Sequence, residues 1–187
     1  MKRVLFILGA LEDDDVDWLV SAGKRLALVE GEVLIHEGQP SDAIYLLLDG
    51  TLQVSVSTLN EQVIAKLSSG EVVGEMSFVD SQLPSATVTA AAPTVVLAIP
   101  CKDLRHKLEQ DTVFASRFYK ALAMLLSSRL RSTVKHLEGE HWRPIVIAQE
   151  SCGDEMAEAL SVGGIRFDWM LRRLRDINSD PWVDMQS

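Results

Sequence analysis

Between residues 24 and 99 apolar and polar positions alternate in short runs. Residues 51–57 place Leu52, Val54 and Val56 on one face, residues 61–67 place Val63, Ala65 and Leu67, and residues 85–90 place Ala86, Val88 and Ala90. A period of two marks strands with one buried face. Turn residues separate the runs at 37–40, 49–50, 59–60, 68–70 and 92–93. Asp49-Gly50 is the strongest of these signals, because a type I′ turn needs positive φ at both central residues. Several short strands at this spacing predict a small sandwich or barrel. The period then changes. Residues 12–21 predict an acid-rich helix with Val16, Leu19 and Val20 inward, and residues 102–109 a second, short helix. Asp111 is an N-cap for a long helix over 112–137, whose apolar stripe runs Phe114, Phe118, Leu122, Leu125, Leu126, Leu130, Val134 and Leu137. Gly139 follows as its stop signal. Residues 139–163 read as irregular, with Pro144 and a Gly163-Gly164 pair. Residues 165–177 read as one amphipathic helix with Phe167, Met170, Leu171, Leu174 and Ile177 on a face and Arg166, Arg172, Arg173 and Arg175 mostly opposite. The fold class is mainly β with flanking helices.

Composition narrows the function. The 187 residues hold 27 acidic and 18 basic side chains, a net charge of −9. A chain this acidic disfavours general binding to nucleic acid or to anionic membranes. No apolar run approaches the roughly 18 residues of a membrane span. Cys101 and Cys152 make no disulfide framework, and His36, His106, His136 and His141 show no metal spacing, so neither a metal nor another cofactor is expected. Met1–Arg3 ahead of residues 4–10 has the look of a signal-peptide start, but acids follow at once with no small-residue cleavage site. The expectation is structured chain in a cytoplasmic protein. No Walker loop, paired-histidine zinc motif or nucleophile elbow occurs, and the chain reads as a non-enzyme.

The charge is unevenly spread. Residues 37–101 carry seven acids and one base, Lys66, while residues 102–137 carry eight bases and three acids. The acid-rich block contains the segment with chemistry, residues 70–80, followed by Pro84, Ser85, Ala86, Thr87 and Val88. There a strand ends at Gly74 and a short helix begins. A glycine lets the backbone approach a ligand without a Cβ in the way. The first amides of a helix lack intrahelical partners and favour a phosphate. Glu75 is an acceptor suited to sugar hydroxyls, and it reads equally as a cap of the short helix.

Gly31, Leu34, Ile35, Glu37 and Gly38, then Tyr45, Gly50, Leu52 and Val54, then residues 70–90, together resemble the cyclic nucleotide-binding domain, the β-roll of catabolite activator proteins and kinase regulatory subunits. The resemblance covers about residues 5–137. It implies an eight-stranded antiparallel β-roll, a short helix in a phosphate-binding cassette, and a hinged long helix. It implies a domain over 1–137 with its flanking and C-terminal helices, followed by an acidic tail, 138–187. It also implies roles: Glu75 receiving the ribose 2′-hydroxyl, Gly74, Met76 and Ser77 at or near backbone contacts, Ser85 and Ala86 at the cyclic phosphate, Thr87 on the same wall, and Ser132 and Thr133 near the base.

One departure bears on affinity. Where the family places an arginine just before the small residue, this chain has Pro84. An arginine there pairs a buried phosphate through its fork, and burying an anion unpaired costs several kcal/mol. A loss of about 3 kcal/mol weakens binding roughly 100-fold. The expectation is a non-catalytic regulatory module that binds cyclic AMP or cyclic GMP weakly, or a related small molecule instead. Arg129 or Arg131, from the helix of a neighbouring subunit, is one substitute cation. The implied partners are a second copy, through the stripe of helix 112–137, and a partner protein. A ligand-free dimeric scaffold is the alternative. A transcription regulator is a third reading, disfavoured because the 50 residues after the long helix carry a net charge of −5 and show no basic recognition helix.

Overall fold

The computed structural model describes residues 4–59, 62–137 and 154–177. Eight strands form two four-stranded antiparallel sheets: β1 (Lys24–Leu28), β2 (Val33–Ile35), β3 (Ala43–Asp49), β4 (Thr51–Val56), β5 (Gln62–Ser68), β6 (Val72–Val73), β7 (Thr87–Ala90) and β8 (Thr94–Pro100). One sheet has the order β1-β8-β3-β6 and the other β2-β7-β4-β5. The helices are α1 (Val4–Ala10), α2 (Asp13–Ala22), α3 (Glu75–Asp80), α4 (Cys101–Gln110), α5 (Thr112–Leu137) and α6 (Asp154–Ile177). This is the eight-stranded β-roll with a long helix that the family resemblance implies, and its strands are those the alternation marks.

The apolar run of β3 follows from its position. Leu47 faces the roll interior with Leu28, Ile35, Leu52, Leu67, Val73, Val88 and Val96. Ile44, Leu46 and Leu48 face the other way, into a second core shared with the helices. A strand covered on both faces has no polar side to show.

Asp49-Gly50 is not the hairpin turn that its dipeptide predicts. β3 and β4 lie in different sheets, and Asp49 keeps a negative φ while Gly50 has φ +92°. The chain crosses between sheets here. A Cβ on Gly50 would stand 2.5 Å from the Pro93 carbonyl oxygen, so the glycine answers to a close approach as well as to its φ. Residues 85–86 also differ from expectation: β7 begins at Thr87, and Ser85 and Ala86 lie in the bend before it.

Asp111 caps α5 as predicted. Its Oδ1 accepts from the Phe114 amide at 2.9 Å. The stripe of α5 divides. Phe114, Phe118, Leu122 and Leu125 are buried in the chain's own helical core, so this half is not free for a twin, while Leu130 and Val134 are exposed. The reason is geometric: α5 packs on α1 and α4 in the core that also holds Ile44, Leu46 and Leu48, while Arg129 and Thr133 near its other end line a cavity.

The tail helix begins earlier than its sequence suggests, at Asp154 rather than 165. Two adjacent glycines each cost about 1 kcal/mol in a helix interior, and packing overrides this. Phe167, Met170 and Leu174 are buried with Ile7, Leu8 and Leu11 of the N-terminal segment. Arg166 is not on a solvent face: it donates to Asp13 at 2.8 Å, to the Leu8 carbonyl at 3.0 Å and to the Leu11 carbonyl, closing the end of α1. Arg173 pairs with Asp17 at 3.2 Å. Gly139, Pro144 and the expected irregular stretch up to 153 lie outside the described residues, as does Cys152.

Candidate functional site

Gly74 joins β6 to α3 with φ +86°, in the left-handed region. A Cβ there would meet the Ala43 carbonyl oxygen at 2.8 Å. The sequence suggests that Gly74 makes room for a ligand; in the structure it also makes room for the chain's own backbone. With that turn fixed, Glu75 opens α3 and points inward, 1% exposed.

A cavity of about 220 Å³ lies between α3, the bend before β7, the interior strands and the far half of α5. Gly74, Glu75, Met76, Ser77, Pro84, Ser85, Ala86 and Thr133 all line it. Thr87 does not: its Oγ1 accepts from the Glu37 amide at 3.2 Å and so ties β7 to the loop after β2. Thr133 sits at the mouth, exposed, with its hydroxyl donating to the Arg129 carbonyl at 3.0 Å. The side chain of Ser132 is outside the described residues. The inner wall is apolar, made by Ile35, Val54, Ala65, Leu67, Val73 and Val88.

A cation reaches the cassette from elsewhere in the same chain, and it meets Glu75. Arg129 reaches down from α5 and its guanidinium donates to Glu75 Oε1 and to the Val72 carbonyl. It also stands 4.0 Å from Glu71, whose carboxylate is 3% exposed. Glu75 therefore does not cap α3; it lines the cavity with its carboxylate held by Arg129 of α5. The sequence suggests Arg129 as a cation arriving from a neighbouring subunit; within this chain Arg129 already pairs with Glu75. The sequence does hold a signal for it: Arg129 follows Leu125 at i+4 on the buried face, a base where the stripe calls for an apolar residue. Glu71 carries no comparable signal.

α3 is also tied from its outer end. Arg105 of α4 donates to the Phe78 carbonyl at 3.1 Å and stacks over the Phe78 ring at 4.6 Å. Phe78 meets Phe118 of α5 edge to face, with centroids 6.2 Å apart. Three contacts, a hydrogen bond, a cation–π stack and an aromatic pair, thus join α3 to the helices around it. Cys101 at the start of α4 is half-buried; burial pushes its thiol up, and Arg105 pulls it only partly back. Among the described residues no group of three His, Cys, Asp or Glu side chains could hold a metal, and no helix is long and apolar enough to cross a membrane.

Residues 25–111 match the family model described as cyclic nucleotide-binding domain. An uncharacterized NTE family protein of Mycobacterium bovis is 30% identical over 152 residues, covering 81% of this chain and 24% of that protein. The cyclic AMP receptor protein of Thermus thermophilus is 29% identical over 130 residues, covering 68% of this chain and 58% of that one. The chain therefore spans about a quarter of the first relative's length and somewhat more than half of the second's. A crystal structure of a cyclic nucleotide-binding domain from Methylobacillus flagellatus superposes with a TM-score of 0.67 at 25% identity, over 77% of this chain and 85% of that one.

Proposed function

The chain carries a cyclic nucleotide-binding domain over residues 25–111, and from this premise we propose that it is a non-catalytic, ligand-sensing regulatory protein in which the cavity controls the position of α5. One observation carries the reading: Glu75, in the position that would receive a sugar hydroxyl, is held by Arg129 of α5. A ligand that takes Glu75 must release Arg129, and so alters what anchors the far half of the helix. A ligand shifts such an equilibrium only through its different affinity for the two arrangements, and this contact supplies the difference.

Pro84 supports weak binding of cyclic AMP or cyclic GMP, because no arginine stands before Ser85 to meet a phosphate. In this reading the chain is cytoplasmic, with its sensing unit over 1–137 and the tail 138–187 docked on it through α6. The exposed Leu130 and Val134 favour a second copy at the end of α5, and they equally suit the scaffold alternative, in which a partner protein covers them.

The coupling is tested without a ligand in hand. Hydrogen exchange is followed over residues 112–137 in the wild type and in Arg129→Gln. Freeing the anchor raises exchange in residues 126–137 and leaves the turns around Phe114 and Phe118 protected. Unchanged exchange in the far half would end the coupling reading.

A further inference from the structure

We propose that the cavity selects an uncharged, hydroxyl-bearing ligand over the corresponding phosphate ester, and that Arg129 is the group such a ligand displaces from Glu75. The inference rests on the ligand-sensing reading and adds to it the charge class of the ligand.

The charge inventory is short. Among the described residues lining the cavity, Glu75 and Arg129 are the charged ones, and they neutralise each other. An arriving phosphate has two options. It takes Arg129, and Glu75 is left buried without its cation. Or Arg129 stays on Glu75, and the phosphate is buried without one. Each option leaves one uncompensated anion in a largely apolar enclosure, at a cost of several kcal/mol per ion. α3 offers little relief, since its six residues are too few for a strong helix dipole.

A neutral ligand brings no second anion, so the guanidinium at the cavity still answers one carboxylate. The ligand's hydroxyls donate to Glu75 where the guanidinium did, so the carboxylate stays satisfied. Arg129 is 22% exposed while paired and has a path to water. The ligand's apolar face meets Ile35, Val54, Leu67 and Val88, and Ser77 and Ser85 offer neutral partners on the cassette side. The volume of about 220 Å³ lies below the roughly 300–1,000 Å³ of drug-sized sites, so the ligand is small.

Adenosine and guanosine, titrated calorimetrically against the full chain, are compared with cyclic AMP and cyclic GMP. These pairs differ by the charged phosphodiester ring and keep base and sugar. At least one nucleoside binds about tenfold or more tightly than its cyclic phosphate. Arg129→Gln removes the competitor, tightens that nucleoside severalfold, and does not tighten the cyclic phosphate. Equal affinities, or tighter binding of the cyclic phosphate in the wild type, overturn the inference and leave ligand sensing intact. If that tighter binding is lost in Arg129→Gln, Arg129 is the phosphate's own partner. Absence of binding by all four in both proteins overturns the sensing reading and the inference together. The wild-type comparison decides even where the variant does not fold.

Discussion

At the scale of single residues, Glu75 and Arg129 define the site by what each would lose without the other. Both are shielded from water, Glu75 almost fully. Removing one partner of a buried pair leaves the other desolvated, which costs more than the pair is worth. Because Arg129 keeps some solvent and the Val72 carbonyl, Glu75→Gln is expected to cost about 1–3 kcal/mol. Urea denaturation of Glu75→Gln, Arg129→Gln and the double variant measures the pair: the double variant loses less than the sum of the singles, and strict additivity would mean no coupling. Gly74 makes a second prediction. With φ +86° and a carbonyl oxygen 2.8 Å from the place a Cβ would take, Gly74→Ala is expected to cost about 1–3 kcal/mol by the same measurement, with or without ligand. Most of the residues that the sequence assigns to the site are indeed gathered in one cavity, because residues 74–77 and 84–86 are near neighbours in the chain. Thr87 is the exception, since β7 begins there and its alternation turns Thr87 away from the face that Val88 shows to the cavity.

At the scale of elements, α5 has one end set by local chemistry and the other by the site. Its N-terminus is capped by Asp111, whose carboxylate is held below its usual range by the Phe114 amide first and by the Lys107 ammonium next. A carboxylate with a depressed folded pKa contributes stability that is present above its unfolded pKa and is lost as pH falls through the folded value. Asp111→Ala is therefore expected to lower the melting temperature at neutral pH. The gap to wild type narrows as the pH falls below about 4, and melting curves between about pH 7 and pH 2.5 follow it. Such a cap is readable in sequence, as an acid three residues before the first buried phenylalanine. The exposed far end is a different matter. Leu130 and Val134 continue the stripe beyond the chain's own core, so a second copy placed there would bury them. Sedimentation of Leu130→Asp/Val134→Asp is expected to show a lighter species than wild type; the same mass for both would remove this end of α5 from any dimer seam.

At the scale of the whole molecule, the tail helix and the N-terminal helices behave as part of one core. Phe167 is 1% exposed and shares a cluster with Leu8, Leu19 and Phe114. Phe167→Ala is expected to cost about 3–5 kcal/mol in a single cooperative urea transition. An unchanged midpoint would mean that α6 is an appendage. The ion pairs around it act as ties: Arg117 joins α5 to Asp15 at 2.8 Å and to Glu12 at 3.1 Å, and Arg166 joins α6 to Asp13. These pairs link elements far apart in the chain, so no window of sequence shows them.

Sequence by itself determined the short half-buried strands, the long helix and its starting point, and the segment that bounds the cavity. The reason is that period-two alternation, an N-cap and a glycine at a positive-φ turn are each written within a few adjacent residues. Tertiary structure alone decided which cation meets Glu75 and how far the tail helix extends. Arg129 lies 54 residues from its partner, and its approach depends on the direction α5 takes once Phe114 and Phe118 are seated. Contacts of that kind follow from packing between distant segments, where neither residue carries a local mark of the other.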